Sequence, residues 1–437
     1  MRENSKIFAY SPIFNYAAEL TEDEYNFLIN NDFVETDNEK YSNVINSFLY
    51  VPDYKKVYIE APIDHNKYKI NKVKKGSLRF DTLSLIVTPL CNLRCRYCFT
   101  FGGEQEKIME SRMINKLYSS LDLDAVVNVV DQIKPQKIHF FGWGEPTLAF
   151  ENIKKLVEIL GNKIKYRIVT NGVYFKKREE IVKFLIENNF QVQISFDGLP
   201  RVNDTYRVLP DGSPSSPEIL ATFKEFQKYK GYEDFVSISN IVCGGDEDTI
   251  LESTKYLESM GFKKLIFEPL EMNGRALVNK IKPVDVVRMA LNLVDAVIYG
   301  KEHGLRIISK LLPAASDLTG FSYGCSFVAG ESIALGPDYN FYSCEDGIPE
   351  FRVGSLNKIG TSYNIEIDYE KLNSLIESRY VLNLKNCEHC PVQCGGGCAK
   401  CSFANYNSFR YGGESEEYCE ARRQALAKYI KLALDKN

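Results

Sequence analysis

The sequence predicts an α/β chain built on a partial (β/α)6 barrel, preceded by a small α+β unit and followed by a cysteine-rich region of little regular structure. Three observations carry this expectation. Six β-forming runs alternate with helix-periodic segments between residues 81 and 305. The first 80 residues open on β-forming stretches either side of a Ser-Pro turn. Eight of the 12 cysteines crowd between Cys325 and Cys419. A chain of 437 residues can bury the core that such an assembly needs.

In the N-terminal unit (1–80), SKIFAYSPIFNYAAEL reads as two strands. Thr21 with Glu24 then makes a capping box for a helix whose apolar face carries Tyr25, Leu28 and Ile29. The unit ends in the lysine-rich KYKINKVKKGS, a solvated face or, in the alternative, a docking surface for an acidic peptide. The barrel region (81–305) carries strands at 83–88, 137–142, 165–171, 191–197, 235–243 and 264–270. Helical segments such as ENIKKLVEIL and EEIVKFLIENN lie between them, and DGSPSSPE is an irregular insertion. The last region (306–437) offers short strands, many glycines and the amphipathic tail EARRQALAKYIKLAL, a composition that metal clusters would staple.

Charge and hydropathy exclude other classes. With 58 acidic and 54 basic side chains there is no overall cationic field for a nucleic-acid partner. No apolar run approaches the length of a membrane span, and MRENSKIFAY lacks the apolar core of a signal peptide. The expected place is the reducing cytoplasm, where clustered thiols hold metal rather than pair with one another.

The segment TPLCNLRCRYCFT follows the first barrel strand and spaces Cys91, Cys95 and Cys98 at i, i+4 and i+7. One buried face of a helix would share that spacing. Pro89 at the entry, Arg94 and Arg96 among the thiols, and FGGE after them favour a loop instead. Three thiolates on a loop can hold three irons of a cubane and leave the fourth open. A catalytic zinc with three protein ligands normally includes histidine, of which the chain has 4.

At these residues the sequence resembles the radical S-adenosylmethionine (SAM) superfamily, whose CxxxCxxC loop follows the first barrel strand, with Tyr97 as its frequent aromatic. The resemblance implies a [4Fe-4S] cluster whose open iron chelates SAM. It also implies reductive cleavage of SAM to a 5′-deoxyadenosyl radical and hydrogen abstraction from an unactivated carbon. FFGWGEPTL looks like the family's GGEP loop and carries over Gly144, Glu145 and Pro146 as SAM contacts. Trp143, the only tryptophan, stands where the family commonly has glycine, either beside the cofactor or in the core. Thr170, Asn171, Ser195 and Asp197 resemble positions near the SAM ribose and carboxylate, and Arg207 resembles an arginine that pairs with that carboxylate. Singly, each is also a cap, turn or ion-pair residue. Cys243 and Glu268 end the fifth and sixth strands and are read evenly as structural or site residues.

Together with Cys325, Cys344 and Cys419, the run CEHCPVQCGGGCAKC resembles the SPASM domain of radical SAM enzymes that act on peptides and proteins. A zinc ribbon competes with that reading, but eight thiols are too many for one zinc. The resemblance implies two auxiliary [4Fe-4S] clusters, making three in all. Cys387, Cys390, Cys394 and Cys419 would ligate the distal one, and Cys325, Cys344 and Cys398 the nearer. Pro-Val-Gln separates Cys390 from Cys394 where the family has a longer spacer, and Tyr339 replaces a family glycine, so Cys401 is also a candidate ligand. LTGFSYG, before Cys325, holds no cysteine. Unless Cys401 fills the gap, the nearer cluster has an open iron that could bind a substrate thiolate.

The function so implied is maturation of a ribosomally made precursor peptide (a RiPP) by an intramolecular crosslink, thioether ahead of carbon–carbon. Formylglycine formation of the anaerobic sulfatase-maturase kind and peptide epimerisation are the alternatives, and no general base can be named. A non-catalytic iron–sulfur carrier would need neither the CxxxCxxC loop nor Glu145. The implied partners are the precursor peptide, held by an RRE-like N-terminal domain through strand addition, and an electron donor such as flavodoxin or ferredoxin. In family terms the chain would be a partial (β/α)6 TIM-like barrel between that small α+β domain and an iron–sulfur SPASM domain.

Overall fold

Strands form where the β-branched and aromatic runs lie. A computed structural model describes residues 2–3, 6–11, 16–24, 26, 72–312, 325–327, 329–379 and 416–434. At the N-terminus β1 (Arg2–Glu3), β2 (Lys6–Ser11) and β3 (Tyr16–Leu20) make an antiparallel sheet in that order. The capping box follows it: the Glu24 carboxylate accepts from Thr21 N at 2.7 Å, and Glu24 N donates to Thr21 Oγ1 at 3.2 Å. The body of that helix and the rest of the expected α+β unit lie outside the described residues.

All six expected barrel strands are present, within two residues of the expected limits. They are β4 (Thr82–Ile86), β5 (Lys137–Phe141), β6 (Lys165–Thr170), β7 (Gln191–Ser195), β8 (Val236–Val242) and β9 (Lys264–Pro269). They lie parallel in chain order. Successive side chains alternate between faces. Tyr166, Ile168, Val192, Ile194, Leu265 and Phe267 are buried in the main core, whereas Gln193, Ser195 and Glu268 face a central cavity. Helices Leu123–Ile133, Phe150–Leu160 and Arg178–Glu187 bury one apolar face in that same core, as their periodicity requires.

The sheet runs on past residue 305. β10 (Arg306–Ile308) pairs parallel with β9, and β11 (Ser332–Leu335) pairs parallel with the far side of β4. β12 (Asn340–Tyr342), β13 (Arg352–Ile359) and β14 (Ser362–Ile367) continue antiparallel, so that among the described residues the sheet has eleven strands with β10 and β14 outermost. DGSPSSPE is only partly irregular, because helix Ser216–Phe226 begins inside it with Pro217 in the first turn, where the missing N–H costs no hydrogen bond. The tail forms helix Glu416–Leu434, docked on helix Val286–His303 by Lys428, which donates to Leu291 O and Asp295 Oδ2. Among the described residues no helix is long and apolar enough to cross a membrane.

Candidate functional site

The loop after β4 is shaped by its backbone partners, which leave its thiols pointing inward. Arg275 reaches it from the short helix Gly274–Val278, donating to Cys95 O at 3.3 Å and Gly102 O at 2.9 Å, while its backbone N donates to Cys98 O. Its other partner is the Glu104 carboxylate. Arg94 Nη1 donates to Cys91 O at 2.9 Å and Leu93 O at 2.8 Å. A Cβ on Gly144 would collide with the Leu90 carbonyl, so glycine alone lets the loop after β5 lie against the cysteine loop. There Glu145 N donates to Leu90 O at 2.7 Å.

Cys91, Cys95 and Cys98 all line one cavity of about 480 Å³. Leu93 N donates to Cys91 Sγ at 3.4 Å and Gly102 N to Cys98 Sγ at 3.3 Å. Burial pushes the Cys91 thiol up and the Cys95 thiol up to about 12, and neighbouring thiols raise these two further. Thiols that resist ionising, with a third beside them, suit a cationic iron cluster, whose charge offsets theirs on binding. By that donor set the residues fit the cluster.

Of the expected SAM contacts, Tyr97, Gly144, Glu145, Thr170, Asn171, Ser195 and Arg207 line this cavity, and Pro146 and Asp197 do not. Pro146 is buried and opens the 3-10 turn Pro146–Ala149. Glu145 is 2% exposed and is satisfied from within. Its carboxylate accepts from Thr147 N at 3.1 Å, Thr147 Oγ1 at 2.7 Å, Thr170 Oγ1 at 2.6 Å and Asn171 N at 2.7 Å. Burial raises its pKa against those bonds. Asp197, with no exposure, accepts from Tyr97 OH at 2.5 Å, Arg207 Nε at 3.1 Å and Ile241 N at 3.0 Å. Arg207 also lies 5.3 Å over the Tyr97 ring. Asp197 therefore holds Arg207 and Tyr97 in place from behind the cavity wall.

The C-terminal region forms the opposite wall. Cys325 and Cys344 line the cavity with Phe327, Glu345 and Asp346, joined by Glu268 from β9 and by Glu271 and Lys310 from beyond β9 and β10. Lys310 Nζ lies 2.6 Å from Glu271 Oε1 and 3.8 Å from Glu268 Oε2, which has no hydrogen-bond partner. Burial would raise Glu345, but His139 at 3.1 Å, with Arg167 and the Ser84 hydroxyl, holds it below its ordinary range. Asp346 is pushed up to about 7 by burial and by the Glu271 and Glu345 carboxylates, against Arg112 and Lys310. Cys419 sits in the last helix, off the cavity. Cys387, Cys390, Cys394, Cys398 and Cys401 lie outside the described residues. Cys243 is fully buried with Tyr97, Leu270 and Ala276 and does not line the cavity, whereas Glu268 does.

Sequence reasoning passed over Arg275, Lys310, Arg112 and the pair Glu345–Asp346. For the acidic pair a signal existed, two carboxylates directly after the Cys344 thiol. Arg275 reaches a loop 180 positions away and gives no local signal.

Residues 85–257 match the family model described as the radical SAM superfamily. Over 408 residues the chain is 24% identical to the radical SAM cyclopropyl synthase TigE of Paramaledivibacter caminithermalis, spanning 88% of this chain and 82% of that one. It is 25% identical to the cysteine-type anaerobic sulfatase-maturating enzyme of Clostridium novyi, over 80% of this chain and 96% of that one. An uncharacterized protein of Methanocaldococcus jannaschii is 30% identical over 48% of this chain and 70% of its own length. The solved structure of native anSMEcpe with bound AdoMet and Cp18Cys peptide shares the fold, with a TM-score of 0.59 at 22% identity over 82% of this chain and 100% of that one. A thiol-lined cavity at the carboxyl ends of a parallel sheet is where such a fold does its chemistry, and with these matches the chain belongs to the radical SAM superfamily, as an enzyme related to peptide- and protein-modifying maturases.

Proposed function

We propose that the chain matures a ribosomally made precursor peptide in the cytoplasm, installing an intramolecular crosslink, thioether in preference to carbon–carbon, with electrons from a flavodoxin or ferredoxin. One observation carries this reading: Cys325 and Cys344 face the same cavity as Cys91, Cys95 and Cys98. Both sets of thiols thus address one substrate space, of a size that suits a small ligand and an inserted side chain.

When bound, the first cluster and SAM supply a 5′-deoxyadenosyl radical that takes hydrogen from an unactivated carbon. Cys91, Cys95 and Cys98 hold that cluster; Thr170, Asn171, Ser195 and Arg207 orient SAM; the backbone at Gly144 lets it approach. Phe99, Leu270 and Phe327 line the same space and exclude water. On this reading Cys325 and Cys344, with Cys387, Cys390, Cys394, Cys398 and Cys419, hold two auxiliary clusters. Among the described residues the antiparallel sheet β1–β3 has β1 and β3 as its outer strands, the feature that strand addition of a leader peptide needs.

The test is anaerobic incubation of the reconstituted enzyme with SAM, reductant and the short peptide encoded beside its gene. Loss of two hydrogens from the peptide, with its cysteine no longer alkylable, supports the thioether; an unchanged mass overturns it. A second reading, oxidation of a cysteine to formylglycine, is favoured by Glu345 and Asp346, because a carboxylate on the cavity wall is placed to take a proton there. It predicts an aldehyde that a hydrazide reagent captures.

A further inference from the structure

Arg112 follows helix Gln105–Ser111, is 4% exposed, and lies with its guanidinium carbon 5.1 Å over the ring of Trp143, which has no exposure at all. Nη1 donates to Ser111 Oγ at 3.1 Å. Nε and Nη2 of Arg112 and Nε1 of Trp143 are buried and have no hydrogen-bond partner. All three are donors that cannot accept. Buried donors left this way are costly, more so on a cation, and three side by side call for one shared acceptor, preferably anionic.

The place of that acceptor follows from the packing. Trp143 is wedged with Ile86, Ile108, Phe327, Ala334 and Tyr342, and Cys325 packs against the same group. A Cβ on Gly347 would collide with the indole, so the turn after Cys344 lies directly on Trp143. Trp143, Cys325 and Cys344 all line the cavity, and Cys344, Cys98 and Asp346 are within electrostatic reach of the guanidinium.

The geometry points to Arg112 and Trp143 as positioning residues that donate to the sulfurs of an iron–sulfur cluster held by Cys325 and Cys344, and thereby raise its reduction potential. The inference rests on the proposed reading that these two thiols ligate an auxiliary cluster. Hydrogen bonds and positive charge at the sulfurs favour the more negative, reduced state. The role fits the proposed chemistry. Removing two hydrogens from a peptide as one hydrogen atom and one proton leaves one electron to be taken up, and a raised potential favours that uptake.

The test uses the full chain with Cys91, Cys95 and Cys98 replaced by Ala, reconstituted with iron and sulfide without oxygen. Iron is counted, and reduction is titrated by electron paramagnetic resonance. The proposal expects two couples, only one of which responds. Arg112→Met lowers its reduction constant at least tenfold, which is 59 mV for one electron, with iron content unchanged. Arg112→Lys recovers part of the shift. Trp143→Phe keeps the packing, moves the same couple the same way by less, and abolishes an exchangeable-proton coupling to the reduced cluster. If Arg112→Met fails to fold, Trp143→Phe and Arg112→Lys decide. Full iron with both potentials unmoved overturns the inference and leaves the auxiliary clusters standing. A parent chain that takes up no iron overturns both.

Discussion

Around the buried carboxylates Glu145 and Asp197 the barrel finds its hydrogen-bond partners within the chain, and around Trp143 and Glu268 it does not. Glu145 accepts four hydrogen bonds and Asp197 ties Tyr97, Arg207 and a strand amide together. Elsewhere on the cavity lining, Glu268 Oε2 and Trp143 Nε1 have no hydrogen-bond partner, nor do two nitrogens of Arg112 beside that indole. The wall around Glu145 and Asp197 is thus organised before any ligand arrives, as a site that must orient a cofactor requires. The rest of the wall is left incomplete.

The largest expected effect separates the walls by function. Cys98→Ala should lower SAM cleavage by roughly a thousandfold or more, whereas Cys344→Ala should leave 5′-deoxyadenosine forming while the modified peptide disappears. Chromatography of the nucleoside and mass spectrometry of the peptide distinguish the two, and loss of both products in Cys344→Ala would break the comparison.

Next comes the cost of disturbing a satisfied wall. Asp197→Ala leaves Arg207 buried and unpaired and should destabilise the chain by about 3–5 kcal/mol in urea unfolding. Gly144→Ala forces the loop after β5 away from Leu90 and should cost about 1–3 kcal/mol, with iron retention falling as the cysteine loop is displaced. Stability unchanged in either variant would contradict the preorganised wall.

The smallest effect should come from the incomplete wall and carry the opposite sign. Burial raises Glu268 above its ordinary value of 4.5, against the pull of Lys310. A raised carboxyl contributes its stability below the unfolded pKa and loses it as pH rises through the folded one. Glu268→Gln should therefore unfold at the same temperature as the parent near pH 4 and at an equal or higher temperature at pH 8, within roughly 1 kcal/mol. A clear loss at pH 8 would mean that the carboxylate has a partner after all.

Much of this was legible in the chain. The six barrel strands announce themselves through dense β-branched runs, and the cysteine loop through Pro89 and the interleaved arginines. β10 and β11 are only RII and SIAL, too short to show a period, so the sheet's continuation into the cysteine-rich region had no local signature. DGSPSSPE read as irregular although its Pro217 sits in a helix's first turn. The expected contacts divide by depth: Thr170 and Ser195 end strands, Asn171 follows β6 directly, and all three reach the cavity, whereas Asp197, two residues past β7, turns behind the wall to meet an arginine ten residues on. Such pairings are tertiary facts, which motif spacing does not encode.

The parallel pairing of β11 with β4 acts as a gauge. Ile333 opposes Leu83 and Leu335 opposes Leu85, and β11 in turn fixes its antiparallel neighbour β12, the strand that leads to Cys344. A ladder changes length only in whole steps of about 3.3 Å, and each step would turn every side chain to the wrong face. The separation between Cys344 and the first cysteine loop is thereby set by the sheet, whatever occupies the cavity.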